Sequence, residues 1–112
     1  LEDFIRRGLV YDDSVVDAQL VSERWGIFQQ QNSQVITTMT VPELTDRLGE
    51  IACPTLAFWG VNEKMMPETG IMKLAKGIPD IRLTLVSQCG HWVMVEHREL
   101  FNRQTLDFLQ NG

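Results

Sequence analysis

A chain of 112 residues, 44% hydrophobic and 22% charged, is long enough for one small domain with a buried core. Its 10 Lys and Arg against 15 Asp and Glu leave a net charge of −5, and no block of five basic residues occurs. That argues against nucleic acid as a partner, because neutralising phosphates takes clustered Lys and Arg. No run of about 18 apolar residues is available to span a membrane, and no charged stretch followed by an apolar one reads as a secretory signal.

The first 49 residues read as helices with polar joints, and no internal repeat or low-complexity tract interrupts them. Asp12 and Asp13 are placed to cap a helix with Val21, Trp25 and Phe28 at i, i+4 and i+7, beside Leu20 and Ile27. Asn32-Ser33 would close it. Thr40 with Glu43 three residues later predicts a capping box before a short helix ending near Gly49.

From residue 53 the pattern changes. Thr55-Leu56-Ala57-Phe58-Trp59 is a short apolar run between Pro54 and Gly60, the signature of a strand buried on both faces. Pro67 then opens a helix carrying Ile71, Leu74, Ala75 and Ile78, ended by Gly77-Ile78-Pro79. Residues 81–86 form a second strand, residues 87–91 a turn, and residues 96–109 a last helix burying Phe101, Thr105, Phe108 and Leu109. The order β-α-β-α predicts an α/β fold with two parallel strands and a right-handed crossover over residues 50–112, behind a helical segment over 1–49.

Two parallel strands are an incomplete sheet, since each needs further neighbours and cover on both faces. The expectation is the closing end of a larger α/β sheet, completed by another copy or by a segment upstream of Leu1. Cys53 precedes one strand and Cys89 follows the other, about 20 Å apart at ~3.3 Å per residue. A disulfide needs Cα atoms within ~7 Å, so two free thiols and a reducing cytoplasm are expected.

In open α/β sheets the site lies at the carboxyl ends of the strands. Those ends carry Gly60-Val61-Asn62-Glu63 and Gln88-Cys89-Gly90-His91-Trp92. Glu63 and His91 are placed to meet, the carboxylate holding one imidazole tautomer while the other ring nitrogen serves a nucleophile. The alternative is a solvated Glu63 and a His91 that merely shapes a turn. Arg24 lies on or beside the apolar stripe of its helix, where an arginine commonly snorkels and pairs with a neighbour such as Asp17 or Glu23. Met72 and Met94 read as packing residues. His97 lies six residues beyond His91, a spacing that does not suit a shared metal. Cys89 lacks a helix start close enough to activate its thiol.

An acid after G-x-x on one strand end, then a helix, a strand and a Gly-His-Trp turn, resembles the C-terminal end of the α/β-hydrolases. The stretches Arg47-Leu48-Gly49-Glu50-Ile51, Cys89-Gly90-His91-Trp92, Glu96-His97 and Phe101-Asn102-Arg103 are similar to those of the meta-cleavage product hydrolases. Those enzymes cleave a carbon–carbon bond in vinylogous diketo acids formed by aromatic ring fission. The resemblance covers essentially the whole chain, residues 1–49 matching the later part of the helical lid. It implies His91 as triad histidine and Glu63 as triad acid, where the family normally has the shorter Asp. Ser22-Glu23-Arg24-Trp25 is similar to the lid arginine and its following tryptophan, which implies that Arg24 binds the substrate's carboxylate or dienolate oxygen. Trp92, Met65 and Met66 would line the pocket; without the resemblance they read as ordinary core. No metal or organic cofactor is implied, and the partner is a small acidic substrate.

One element of the family is absent. No G-x-S-x-G occurs, Ser14, Ser22, Ser33 and Ser87 all lack glycine flanks, and the oxyanion-hole glycines are missing. The chain alone is expected to be a catalytically incomplete portion. Rival readings are a hydrolase of another specificity (an esterase, or an epoxide or haloalkane hydrolase) and a silent homo-oligomer that covers its sheet edge with another copy.

Overall fold

The structure is a computed structural model describing residues 1–112. A short helix α1 (Glu2–Phe4) runs into one π-helical turn (Ile5–Leu9), and a 3-10 turn (Asp13–Val15) follows. Then come α2 (Ala18–Gln29), α3 (Ser33–Thr38) and a 3-10 helix (Thr45–Glu50). Strand β1 (Thr55–Gly60), helix α4 (Thr69–Gly77) and strand β2 (Ile81–Val86) make the β-α-β unit, and α5 (Val93–Glu96) and α6 (Arg98–Asn111) complete the chain. The strands pair in parallel, Thr55 opposite Ile81 through to Gly60 opposite Val86, so the expected two-stranded parallel sheet is present.

Helix boundaries depart from expectation where a local bond outcompetes the assumed cap. Asp17, not Asp12 or Asp13, caps α2, its carboxylate accepting from the Leu20 amide at 2.8 Å. Asp12 instead caps the separate 3-10 turn through Ser14, and the buried, extended Val16 divides the two elements. Asn32 does not close α2 but opens α3, accepting from the Gln34 and Val35 amides. The Thr40–Glu43 box does not form, because Pro42 disfavours a helical Val41. Glu43 turns forward and accepts from the Thr45 amide at 2.8 Å. The last helix is two helices: His97 has φ −126° and ψ 54° between α5 and α6. One bond holding it there runs between its Nε2 and the Gln88 carbonyl at 3.0 Å.

Burial is thin. Ile5, Leu9, Val10 and Val16 form one cluster with Leu20, Val21 and Trp92; Val86, Cys89 and Val93 form a second with Phe58, Leu100 and Phe101. The β1 side chains are only half-buried, against the expectation of a strand buried on both faces, and Leu85 of β2 is exposed, as an incomplete sheet would leave it. Two strands offer no neighbours to complete that cover. For the same reason Leu109, expected in the core, is 72% exposed. Trp25, Ile27 and Phe28 are likewise exposed. Both cysteines are free, Cys53 exposed and Cys89 buried. No helix is long and apolar enough to cross a membrane.

Candidate active site

The loops that leave β1 and β2 meet backbone to backbone. A Cβ on Gly60 would lie 2.0 Å from the Gly90 carbonyl oxygen and 2.5 Å from that of Cys89, so only glycine permits the approach. A Cβ on Gly90 would in turn lie 2.9 Å from the Val10 carbonyl carbon. The loops are then laced together. The Val61 amide donates to the Val86 carbonyl and the Asn62 amide to the Cys89 carbonyl, both at 2.8 Å. The Asn62 side-chain oxygen accepts back from the Cys89 amide at 3.4 Å.

This lacing places Glu63 against His91. Glu63 Oε2 lies 2.6 Å from His91 Nδ1, while Glu63 Oε1 accepts from the Met65 amide at 2.6 Å and the Met66 amide at 3.2 Å. The extra methylene of Glu over Asp is thus accommodated. Burial alone would raise the Glu63 pKa, but the bonds from Met65, His91 and Met66 together hold it below the ordinary glutamate range. An ionised carboxylate is acceptor only, so His91 Nδ1–H donates, and Nε2 has no hydrogen-bond partner within the chain. The Glu63 side chain is 8% exposed and that of His91 32%, so the pair is shielded on the acid side and open on the imidazole side.

Arg24 makes no ion pair with Asp17 or Glu23; Glu23 accepts instead from Gln19. The Arg24 guanidinium stands over the Trp92 ring, 4.8 Å from its centroid, one residue from His91 in the chain. Met65 and Met66 contribute backbone amides to Glu63, and their side chains are exposed. Met66 also lines an apolar hollow of about 310 Å³ with Leu44, Leu48, Trp59 and Leu74, whose walls include neither His91 nor Trp92. Cys89 is unsuited to nucleophilic attack: burial, then the nearby charges of Glu96 and Glu63, push its thiol up to about 11. The structure contains no group of three or more His, Cys, Asp or Glu arranged to hold a metal ion.

The bonding roles of two residues of this region escape the sequence reading. Asn62 joins the two loops, and Glu96 ties the His91 turn to the N-terminal segment. Its carboxylate accepts from the Gly90 and Tyr11 amides, each at 2.8 Å, and from Asp12 at 3.0 Å. A lone carboxylate closing the apolar run Trp92-Val93-Met94-Val95 marks Glu96 in the sequence, but not the amides it meets.

No family model matches the chain. A 2-hydroxy-6-oxo-6-phenylhexa-2,4-dienoate hydrolase of Burkholderia cepacia is 35% identical over 111 residues, covering 92% of this chain and 39% of that protein. A 2-hydroxy-6-oxononadienedioate/2-hydroxy-6-oxononatrienedioate hydrolase of Comamonas testosteroni is 34% identical with the same coverage. Among solved structures, a meta-cleavage product hydrolase from Pseudomonas fluorescens superposes with a TM-score of 0.73 at 22% identity, covering 91% of this chain and 42% of that one. The chain therefore spans about two fifths of the length of these relatives. Over nearly all of its own length it is similar to meta-cleavage product hydrolases, and it has the architecture of a portion of the α/β-hydrolase fold.

Proposed function

We propose that this chain is the C-terminal portion of a serine-type hydrolase that cleaves carbon–carbon bonds in vinylogous diketo acids from aromatic ring fission. The observation that carries the reading is the 2.6 Å Glu63–His91 contact with its unpartnered Nε2, in a chain 35% identical to a dienoate hydrolase. In this reading His91 is the general base, and Glu63 fixes its tautomer and stabilises the imidazolium. A serine supplied from outside this sequence is the group His91 serves. Arg24, stacked on Trp92, presents a cation to the substrate's carboxylate or dienolate oxygen while the dienol becomes the keto form. Trp92, Met65 and Met66 line the pocket, and no cofactor takes part. The two free thiols fit a reducing cytoplasm.

The test is a chimera in which the N-terminal three fifths of the Burkholderia relative precede this chain, assayed by loss of the yellow absorbance of a ring-fission dienoate. Decay by the chimera, its abolition by His91→Ala, and silence of the 112-residue chain alone are the expected results. Decay by the isolated chain would overturn the need for an outside serine. A folded chimera active on simple esters but not on the dienoate would give the site to another hydrolase specificity. An inactive chimera, with the chain alone forming stable oligomers, would favour a silent self-associating chain, which the exposed Trp25, Ile27 and Phe28 would serve.

A further inference from the structure

Glu96 lies at the end of the four-residue α5, half-buried. Its Oε1 accepts from the amides of both Tyr11 and Gly90 at 2.8 Å, and its Oε2 from Asp12 at 3.0 Å. One carboxylate thus satisfies three backbone donors from two stretches of chain about eighty residues apart. Only an acceptor-only group can do so: a glutamine would turn an NH2 toward one of those N–H groups.

The two stretches lead to the two halves of the candidate site. Gly90 immediately precedes His91, and beyond it the Trp92 amide donates to the Leu9 carbonyl at 3.0 Å, closing a second link to the same N-terminal segment. Tyr11 and Asp12 lead through the 3-10 turn and the Asp17 cap into α2, which carries Arg24 to its place over Trp92. We propose that Glu96 is a positioning residue that fixes the lid-side Arg24 and the His91 turn relative to each other. The term positioning rests on the functional reading given above; the coupling itself does not.

The test reads both halves at once by NMR in the chimera that joins this chain to the N-terminal three fifths of the Burkholderia relative. The His91 Nδ1–H, donating to Glu63, should resonate downfield of the amides, and the Arg24 Nε–H should be shifted upfield by the Trp92 ring. Glu63→Gln should abolish the first signal alone. Glu96→Gln should move and broaden both, and Glu96→Asp should do so to a smaller degree, while Glu99→Gln on the exposed start of α6 should move neither. A folded Glu96→Gln or Glu96→Asp chimera with both signals at their wild-type positions overturns the proposal. Amide exchange in the wild-type chimera decides the matter should both variants unfold. Slow, matched exchange at Tyr11, Asp12 and Gly90 supports one cooperative unit, and fast exchange at any of the three overturns it. None of these readings requires turnover, so an inactive chimera leaves this test intact.

Discussion

The strand-end region and the α2–α3 segment are built on opposite principles. Around Gly60, Glu63, Gly90 and His91, backbone approaches backbone and each turn is braced from elsewhere in the chain. Across α2 and α3 the helices are fixed by local caps, Asp17 and Asn32. Their large apolar residues (Trp25, Phe28, Val35, Ile36) stand exposed, with Trp25 and Phe28 stacked on each other at 5.7 Å. The first region is specified by tertiary contact already present. The second rests on the chain only through Leu20, Val21 and Arg24, and the rest of its apolar surface has no cover within the chain.

The sharpest way to break that contrast is at the crossing of the two strand-end loops. Gly60→Ala places a methyl within 2.0 Å of the Gly90 carbonyl, and no side-chain rotation relieves a backbone collision. A loss of upwards of ~3 kcal/mol is expected, read as a lower urea midpoint or failure to fold. A near-neutral Gly60→Ala would mean that the loops do not meet as described.

Glu63→Gln comes next and adds a pH signature. Because the Glu63 pKa is held below the ordinary glutamate range, its contribution is fully present above that range. It drains away as the pH falls through that range and the lowered folded value. Losing a charge-assisted bond should cost about 1.5 kcal/mol at neutral pH. The variant's stability should then fall less steeply with acid than the wild type's. Parallel acid limbs in a pH series of urea melts would remove the carboxylate from the account.

Much of this site could be read in the sequence, and the reason is local. Apolar runs bounded by glycine and proline mark strands, and strand ends mark sites, so Glu63 and His91 could be paired before any coordinates. Asn62 and Glu96 could not, because their partners are backbone amides and carbonyls, which look alike at every position in a sequence. The capping errors have the same origin. Asp12, Asp13 and Asp17 are chemically equivalent candidates, and what selects Asp17 is the burial of Val16, a tertiary fact. Depth of burial lies beyond periodicity, which reports which side is apolar, not whether anything lies against it. Leu109 shows this.

Asn62→Ala tests a single brace of the strand-end region. It removes the side-chain acceptor for the Cys89 amide while leaving the Asn62 amide bonded to the Cys89 carbonyl. About 1 kcal/mol should be lost, with the His91–Glu63 contact retained by the remaining backbone bonds. A loss near that of Gly60→Ala would show that the side chain, not the backbone lacing, sets the loop geometry.

The smallest effect should come from the other side of the comparison. Trp25→Ser removes a large aromatic that is 47% exposed and whose ring partner, Phe28, is 50% exposed. At micromolar concentration the cost should stay within about 0.5 kcal/mol, because little surface returns to water. If the α2 face docks on another copy, the wild-type melting temperature will rise with concentration by mass action, and Trp25→Ser will flatten that dependence. A cost of several kcal/mol in dilute solution would instead mean that α2 is already covered from within the chain. The two regions would then differ in degree only.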